Sequence, residues 1–294
     1  MRIRAAVGVA AGLALLSPIA LSSAAQAHAQ TQAHAQTQAQ AQSRPGVTAD
    51  LQSLAARPDT VIGNAKFSNA VINGGKSVVV GATAKKSFKV SYDVYYAGGV
   101  ALSVAYLWQG TDSTTEDGIT GALEASDVSD CTESATQQGH YSCTAAFSVD
   151  PKHDLAGNGV PGTWKLLLGA WDLYADASTD DDVTTTLIKR AAKLTADATP
   201  EPVKKGRTIT VKGKLTQADW AKGTYPGYKG QPVKLQFRKK GSTTYSTLKT
   251  VTSGTGGSLS ATTKATYDGY YRFLYAGTKA TDAATATGDY VDVR

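Results

Sequence analysis

The chain has 294 residues, 41% of them hydrophobic, with 30 Lys and Arg against 24 Asp and Glu for a formal net charge of +6. That length and apolar content suit about two globular domains and exclude a wholly disordered chain, while two cysteines and four histidines exclude a cysteine-rich zinc scaffold. The charge is partitioned: residues 28–193 hold 12 Lys and Arg against 17 Asp and Glu, a net of −5, and residues 194–294 hold 16 against 7, a net of +9.

The first stretch, MRIRAAVGVAAGLALLSPIALSSAAQA, reads as a secretory signal peptide over residues 1–27. Arg2 and Arg4 precede an apolar run from Ala5 to Leu16, and Ala25 and Ala27 form an A-x-A exit. The run is short for a bilayer span, which needs about 20 apolar residues, and no membrane anchor is expected elsewhere. Residues 28–57 form a low-complexity linker that opens HAQTQAHAQTQAQAQ, too poor in large apolar groups to offset its ordering entropy. Near its end Leu51 and Leu54 share one face of a short predicted helix, stopped by Pro58.

From residue 58 to 193 the apolar period becomes two, the mark of half-buried strands. Phe88, Val90, Tyr92, Val94 and Tyr96 share one face, as do Val100, Leu102, Val104, Tyr106 and Trp108, and Gly98-Gly99 between them reads as a hairpin turn. Cys143, Ala145, Phe147 and Val149 continue the pattern, then Trp164, Leu166, Leu168 and Ala170. The expected unit is an acidic antiparallel β-sandwich. Export to an oxidising compartment predicts a disulfide between Cys131 and Cys143.

Residues 194–294 supply further short strands: one across Lys193 to Ala198, then Thr208–Thr216, Pro232–Lys239, Tyr245–Thr252, Leu259–Thr263, Gly269–Tyr275 and Asp289–Val293. About seven strands in roughly 100 residues is the immunoglobulin-like count. The fold class is therefore all-β, two antiparallel sandwiches with the second immunoglobulin-like. The spaced motifs ATPEPVKKGRTITVKGKLT, PVKLQFR, DGYYRFLYAG and GDYVDVR resemble the Ig-like module that ends many secreted proteins of actinobacteria. DLAGNGVPGTW in the first unit resembles extracellular β-sandwich domains of the same group more loosely. The resemblance implies secretion and a non-catalytic module, and lends no functional residues.

Catalytic motifs are missing: there is no G-x-S-x-G, H-E-x-x-H or P-loop, and TSGTGGS at 252–258 reads as a hairpin turn. His153, between Asp150 and Asp154, reads as an exposed turn residue. The chain is not expected to be an enzyme. Acidic groups concentrate from Asp112 to Asp182, 14 of them against Lys152 and Lys165 alone. The densest stretch, WDLYADASTDDDVTTT, puts Asp172, Asp176, Asp180, Asp181 and Asp182 on an expected loop between two strands. These five are the candidate calcium ligands, weighed against solvated loops, because calcium wants six to eight oxygens and the spacing is not that of an EF-hand.

In the basic half, PVKLQFRKKG turns Val233, Leu235 and Phe237 inward and Lys234, Gln236 and Arg238 outward, with Lys239 and Lys240 at the turn. Lys234, Arg238, Lys239 and Lys240 are the candidate anion-binding set, and the resemblance to secreted actinobacterial proteins implies an anionic cell-wall polymer or polysaccharide as their counter-charge. Nucleic acid is not expected, since no aromatic-and-basic motif accompanies export, and the oligomeric state is left open. The rival reading is a carbohydrate-binding module or exported hydrolase using Trp108, Trp171 and Trp220.

Overall fold

Among the described residues eighteen strands account for the period-2 stretches. The computed structural model describes residues 44–55, 65–155, 157–174 and 176–294; the expected signal peptide and the first part of the linker lie outside the described residues.

The first sandwich begins with helix α1 (Arg44–Ala55) and runs through β1 (Lys66–Ile72), β2 (Val78–Val80), β3 (Lys86–Tyr95), β4 (Leu102–Gly110), β5 (Ile119–Glu124), β6 (Asp130–Glu133), β7 (His140–Val149), the single turn α2 (Pro151–Asp154), β8 (Gly162–Trp171) and β9 (Ala177–Arg190). One sheet has the order β1-β3-β7-β6, and the facing sheet β2-β9-β8-β4-β5. Pairing is antiparallel throughout except between β2 and β9. Phe88, Val90, Tyr92, Val94 and Tyr96 point into the core, as do Cys143, Ala145, Phe147 and Val149 opposite Trp164, Leu166, Leu168 and Ala170. The disulfide between Cys131 and Cys143 joins directly opposed positions of β6 and β7, with Cα atoms 4.1 Å apart.

Three local expectations change. The Gly98-Gly99 turn is not a hairpin: β3 pairs with β1 and β7, and β4 with β5 and β8, so the turn carries the chain from one sheet to the other. On β4 the inward face is Ser103, Ala105 and Leu107. Val104, Tyr106 and Trp108, expected in the core, instead lie on the outer face and join Leu167 under Leu51 and Leu54 of α1. Both faces of β4 are buried, so its alternation of large and small side chains could not say which face was the core. TSGTGGS likewise crosses between sheets, since β14 pairs with β13 and β15 with β12. There Gly257 has φ of 77°, and any side chain on it would collide with the Leu215 carbonyl.

The second sandwich comprises β10 (Ala192–Leu194), β11 (Asp197–Thr199), β12 (Thr208–Gln217), β13 (Pro232–Lys239), β14 (Ser246–Thr252), β15 (Ser258–Lys264), β16 (Gly269–Tyr275), β17 (Ala284–Thr285) and β18 (Asp289–Val291). In one sheet β12 pairs with β15 and with β10 and β11; in the other β13 lies between β14 and β16, and β16 also pairs with β17 and β18. Ile209, Val211, Leu215, Val233, Leu235, Leu259, Tyr271, Phe273 and Tyr275 fill its core.

The two cores are joined by a loop that leaves one and enters the other. After β12, Ala218 and Trp220 pack into the first core, and Trp220 is 0% exposed. Its indole N–H donates to the Val80 carbonyl at 3.2 Å, and its backbone N–H to Asn158 Oδ1 at 2.9 Å. Asn158 Nδ2 in turn donates to Asp219 Oδ1 at 2.8 Å. That hydrogen bond, followed by the Lys222 amide, holds the Asp219 carboxyl below the ordinary carboxylate range, while burial lowers the Arg190 guanidinium beside it. Backbone bonds from Ala218 to Ala191, from Ala191 to Val80, from Arg190 to Ala280 and from Asp282 to Arg190 complete the joint.

Candidate functional site

The acidic stretch resolves into separate local arrangements. Asp172 and Asp176 do occupy the turn between β8 and β9. Asp172 is buried and its Oδ1 accepts from the amides of Tyr174 at 2.8 Å and Asp176 at 3.0 Å, the bonding of an Asx turn. This turn holds Leu173 and Tyr174 out in solvent, 77% and 85% exposed. Asp180, Asp181 and Asp182, expected on the loop, belong to β9, where the register against β8 shifts between Leu166 and Leu168. The extra residues bulge out because three consecutive aspartates cannot alternate into a buried face.

Each of the three has a local partner. Asp180 Oδ1 accepts the Asp182 amide at 3.1 Å, Asp181 Oδ2 accepts the Ser113 hydroxyl at 2.5 Å, and Asp182 Oδ2 lies 3.1 Å from Lys165 Nζ, which covers the Trp108 ring. Among the described residues no three His, Cys, Asp or Glu side chains gather as a metal-binding group. Changing Asp180 and Asp182 to Asn should shift unfolding stability by under about 1 kcal/mol, as for exposed ion pairs, and millimolar calcium should leave the melting temperature of parent and variant alike. A calcium-dependent rise, absent in the variant, would contradict this.

Neither histidine outside the linker is set up for catalysis. His140 packs against Tyr95 with ring centroids 4.7 Å apart and the planes tilted by 43°. His153 is exposed on α2, and the flanking Asp150 and Asp154 accept backbone amides of Lys152 and Asp150. The tryptophans of the rival reading are not exposed as a row: Trp108 and Trp220 are buried, and Trp171 packs partly buried beside α1's seat.

The basic residues converge more than the acidic ones. At the end of the second sandwich away from the joint, four segments meet: the turn before β12 with Lys205, the end of β13 with Lys239 and Lys240, the turn before β16 with Thr266, Tyr267 and Asp268, and Val293 with Arg294 after β18. They line an open, shallow cleft of about 430 Å³. Backbone bonds fix its floor: Lys205 N–H to the Arg294 carbonyl at 2.7 Å, Arg294 N–H to Val203 at 2.8 Å and Lys240 N–H to Asp268 at 2.8 Å. Asp268 Oδ1 accepts the Val293 amide at 2.9 Å.

Tyr267 is 52% exposed on the cleft wall, with Lys239 Nζ 4.5 Å and Lys205 Nζ 5.9 Å from its ring centroid. Lys240 lies 3.8 Å from Asp268, and a hydrogen bond to the Tyr290 hydroxyl does most to raise its pKa. Arg294 pairs with Asp292 at 2.9 Å. Among the described residues Lys205 and Lys239 form no ion pair, so the cleft keeps uncompensated positive charge.

The other two predicted basic residues lie elsewhere. Arg238 is stacked between Tyr270, 4.1 Å away, and Tyr245, 5.3 Å away, on the outer sheet face. Arg272 covers the same Tyr245 at 3.6 Å and donates from Nε to Gln236 at 3.0 Å. Gln236, expected outward and solvated, is therefore enclosed by its neighbours. Lys234 is exposed on β13, five residues and roughly 16 Å of strand before Lys239.

Comparison with protein-family models and with curated proteins finds no match. Among solved structures the chain is similar to FdeC, an Escherichia coli adhesin, at 17% identity over 77% of this chain and 63% of that one, with a TM-score of 0.32. It is also similar to the fibronectin(III)-like modules of Clostridium thermocellum CbhA, at 12% identity over 76% and 92% with a TM-score of 0.30. A third is the D00-D0 domain of intimin, at 13% over 78% and 99% with a TM-score of 0.25. The sandwich assignment rests on the strand pairing itself.

Lys205, Tyr267 and Arg294 were not singled out in the sequence because they lie 27 to 89 positions apart in the chain. Lys204-Lys205 and Arg238-Lys239-Lys240 are both visible basic runs, but nothing local in the sequence says that the two meet.

Proposed function

We propose that the chain is a non-enzymatic extracellular binding protein whose second sandwich engages an anionic cell-wall polymer or polysaccharide through the cleft. The observation that carries this is the meeting of Lys205, Lys239, Lys240 and Arg294 around a half-exposed Tyr267. Lysine ammonium groups attract carboxylate or phosphate as point charges, and a tyrosine face offers stacking area to a sugar ring. The paired cysteines suit an oxidising exterior.

The test uses the whole chain, because the second sandwich alone would lose the burial of Trp220. Binding to a polyuronate and to a polyol phosphate should weaken steeply with salt, since screening shortens the reach of exposed charges to about 8 Å at physiological ionic strength. A Lys205→Ala, Lys239→Ala double variant should bind about ten-fold more weakly, corresponding to about 1.4 kcal/mol. Binding indifferent to salt and to both substitutions would overturn the proposal.

A further inference from the structure

Helix α1 is held to the first sandwich mainly by two leucines. Leu51 and Leu54 are buried against Val104, Tyr106, Trp108 and Leu167 on the outer face of the β5-β4-β8-β9 layer. Thr179 on β9 adds a hydrogen bond to the Leu54 carbonyl at 3.4 Å. A twelve-residue helix is marginal in water by itself. Its helicity and its docking are therefore one coupled event, sensitive to small changes at the contact.

The polar groups at this contact do not balance. Asp50 on α1 and Glu124 on β5 are both partly buried at this contact, and Glu124 Oε1 accepts the hydroxyl of Tyr106, the β4 residue packed under Leu51 and Leu54, at 2.9 Å. The remaining charged groups on this side are Lys165 from β8 and Asp180, Asp181 and Asp182 from β9, with Lys165 engaged by Asp182. Among the described residues neither Asp50 nor Glu124 has an ion-pair partner. Two partly buried carboxyls without a cation partner thus lie at the seat of the helix.

We propose that α1 is a proton-sensitive strap, which tightens on the sandwich under acid conditions and loosens as Asp50 and Glu124 ionise, uncovering the apolar face of Val104, Tyr106, Trp108 and Leu167. Burial raises the Asp50 carboxyl. Burial also raises Glu124, with the Tyr106 bond opposing and the Asp50 charge adding to the rise. The docked helix therefore holds more protons than the lifted one. Docking is strongest below the ordinary carboxylate range, about pH 4, and weakens as pH rises through the raised values.

Hydrogen exchange of the whole chain tests this strap independently of any polymer. After correction for intrinsic rates, amides 49–55 should be about ten-fold better protected near pH 4.5 than near pH 7.5, about 1.4 kcal/mol of opening free energy. Amides of β3 and β7 should change little between the two. Asp50→Asn should remove most of the dependence, and Glu124→Gln serves as a second variant should the first fail to fold. Protection independent of pH, or a dependence that survives in both variants, would overturn the proposal.

Discussion

Replacing Trp220 by Ala should destabilise the first sandwich, although the residue lies between two strands of the second. Trp220 is fully enclosed in the first core and bonded to Val80 and Asn158. Truncating such a side chain costs about 3–5 kcal/mol, because the cavity closes only in part. Chemical denaturation of the whole chain should show that loss, and hydrogen exchange should place the added opening at β2 and around Asn158. A loss below about 1 kcal/mol would mean that the ring is not what fastens the joint.

The second large effect concerns the disulfide. Cys131 and Cys143 are twelve positions apart, and opening a loop of that size costs about 3 kcal/mol by the chain-entropy estimate. A Cys131→Ala, Cys143→Ala variant should lose about that much. The loss should appear first as fraying of β6, which pairs on one side only, with β7. Mass spectrometry of the unreduced parent protein should find no alkylatable thiol; two free thiols would refute the bridge.

Where one face of a strand is plainly apolar and the other polar, the residues themselves announced their places. Phe88 to Tyr96 and Trp164 to Ala170 went inward as their alternation required. On β4 the same rule failed, because α1 supplies a second apolar environment and both faces are buried. Glycine-rich turns at 98–99 and 252–258 were recognisable as turns, but a hairpin and a crossing between sheets make the same demand for positive φ. Only the distant pairing partners distinguish them. For the candidate site, Lys239 and Lys240 were legible as adjacent cations. Tyr267 and Arg294 reach them only because β16 and β18 pair in the same sheet as β13, a matter of topology and not of local composition.

The joint through Trp220 has an electrical consequence. Residues 28–193 carry a net of −5 and residues 194–294 a net of +9. A floppy connection would let that separation average out as the halves reorient, whereas fastened halves give the chain a lasting dipole moment. Near an anionic surface the field exerts a torque before any contact forms, turning the lysine-rich end inward and the aspartate-rich end outward. Arrival at such a surface would then be oriented, with the Leu173–Tyr174 turn directed away from it.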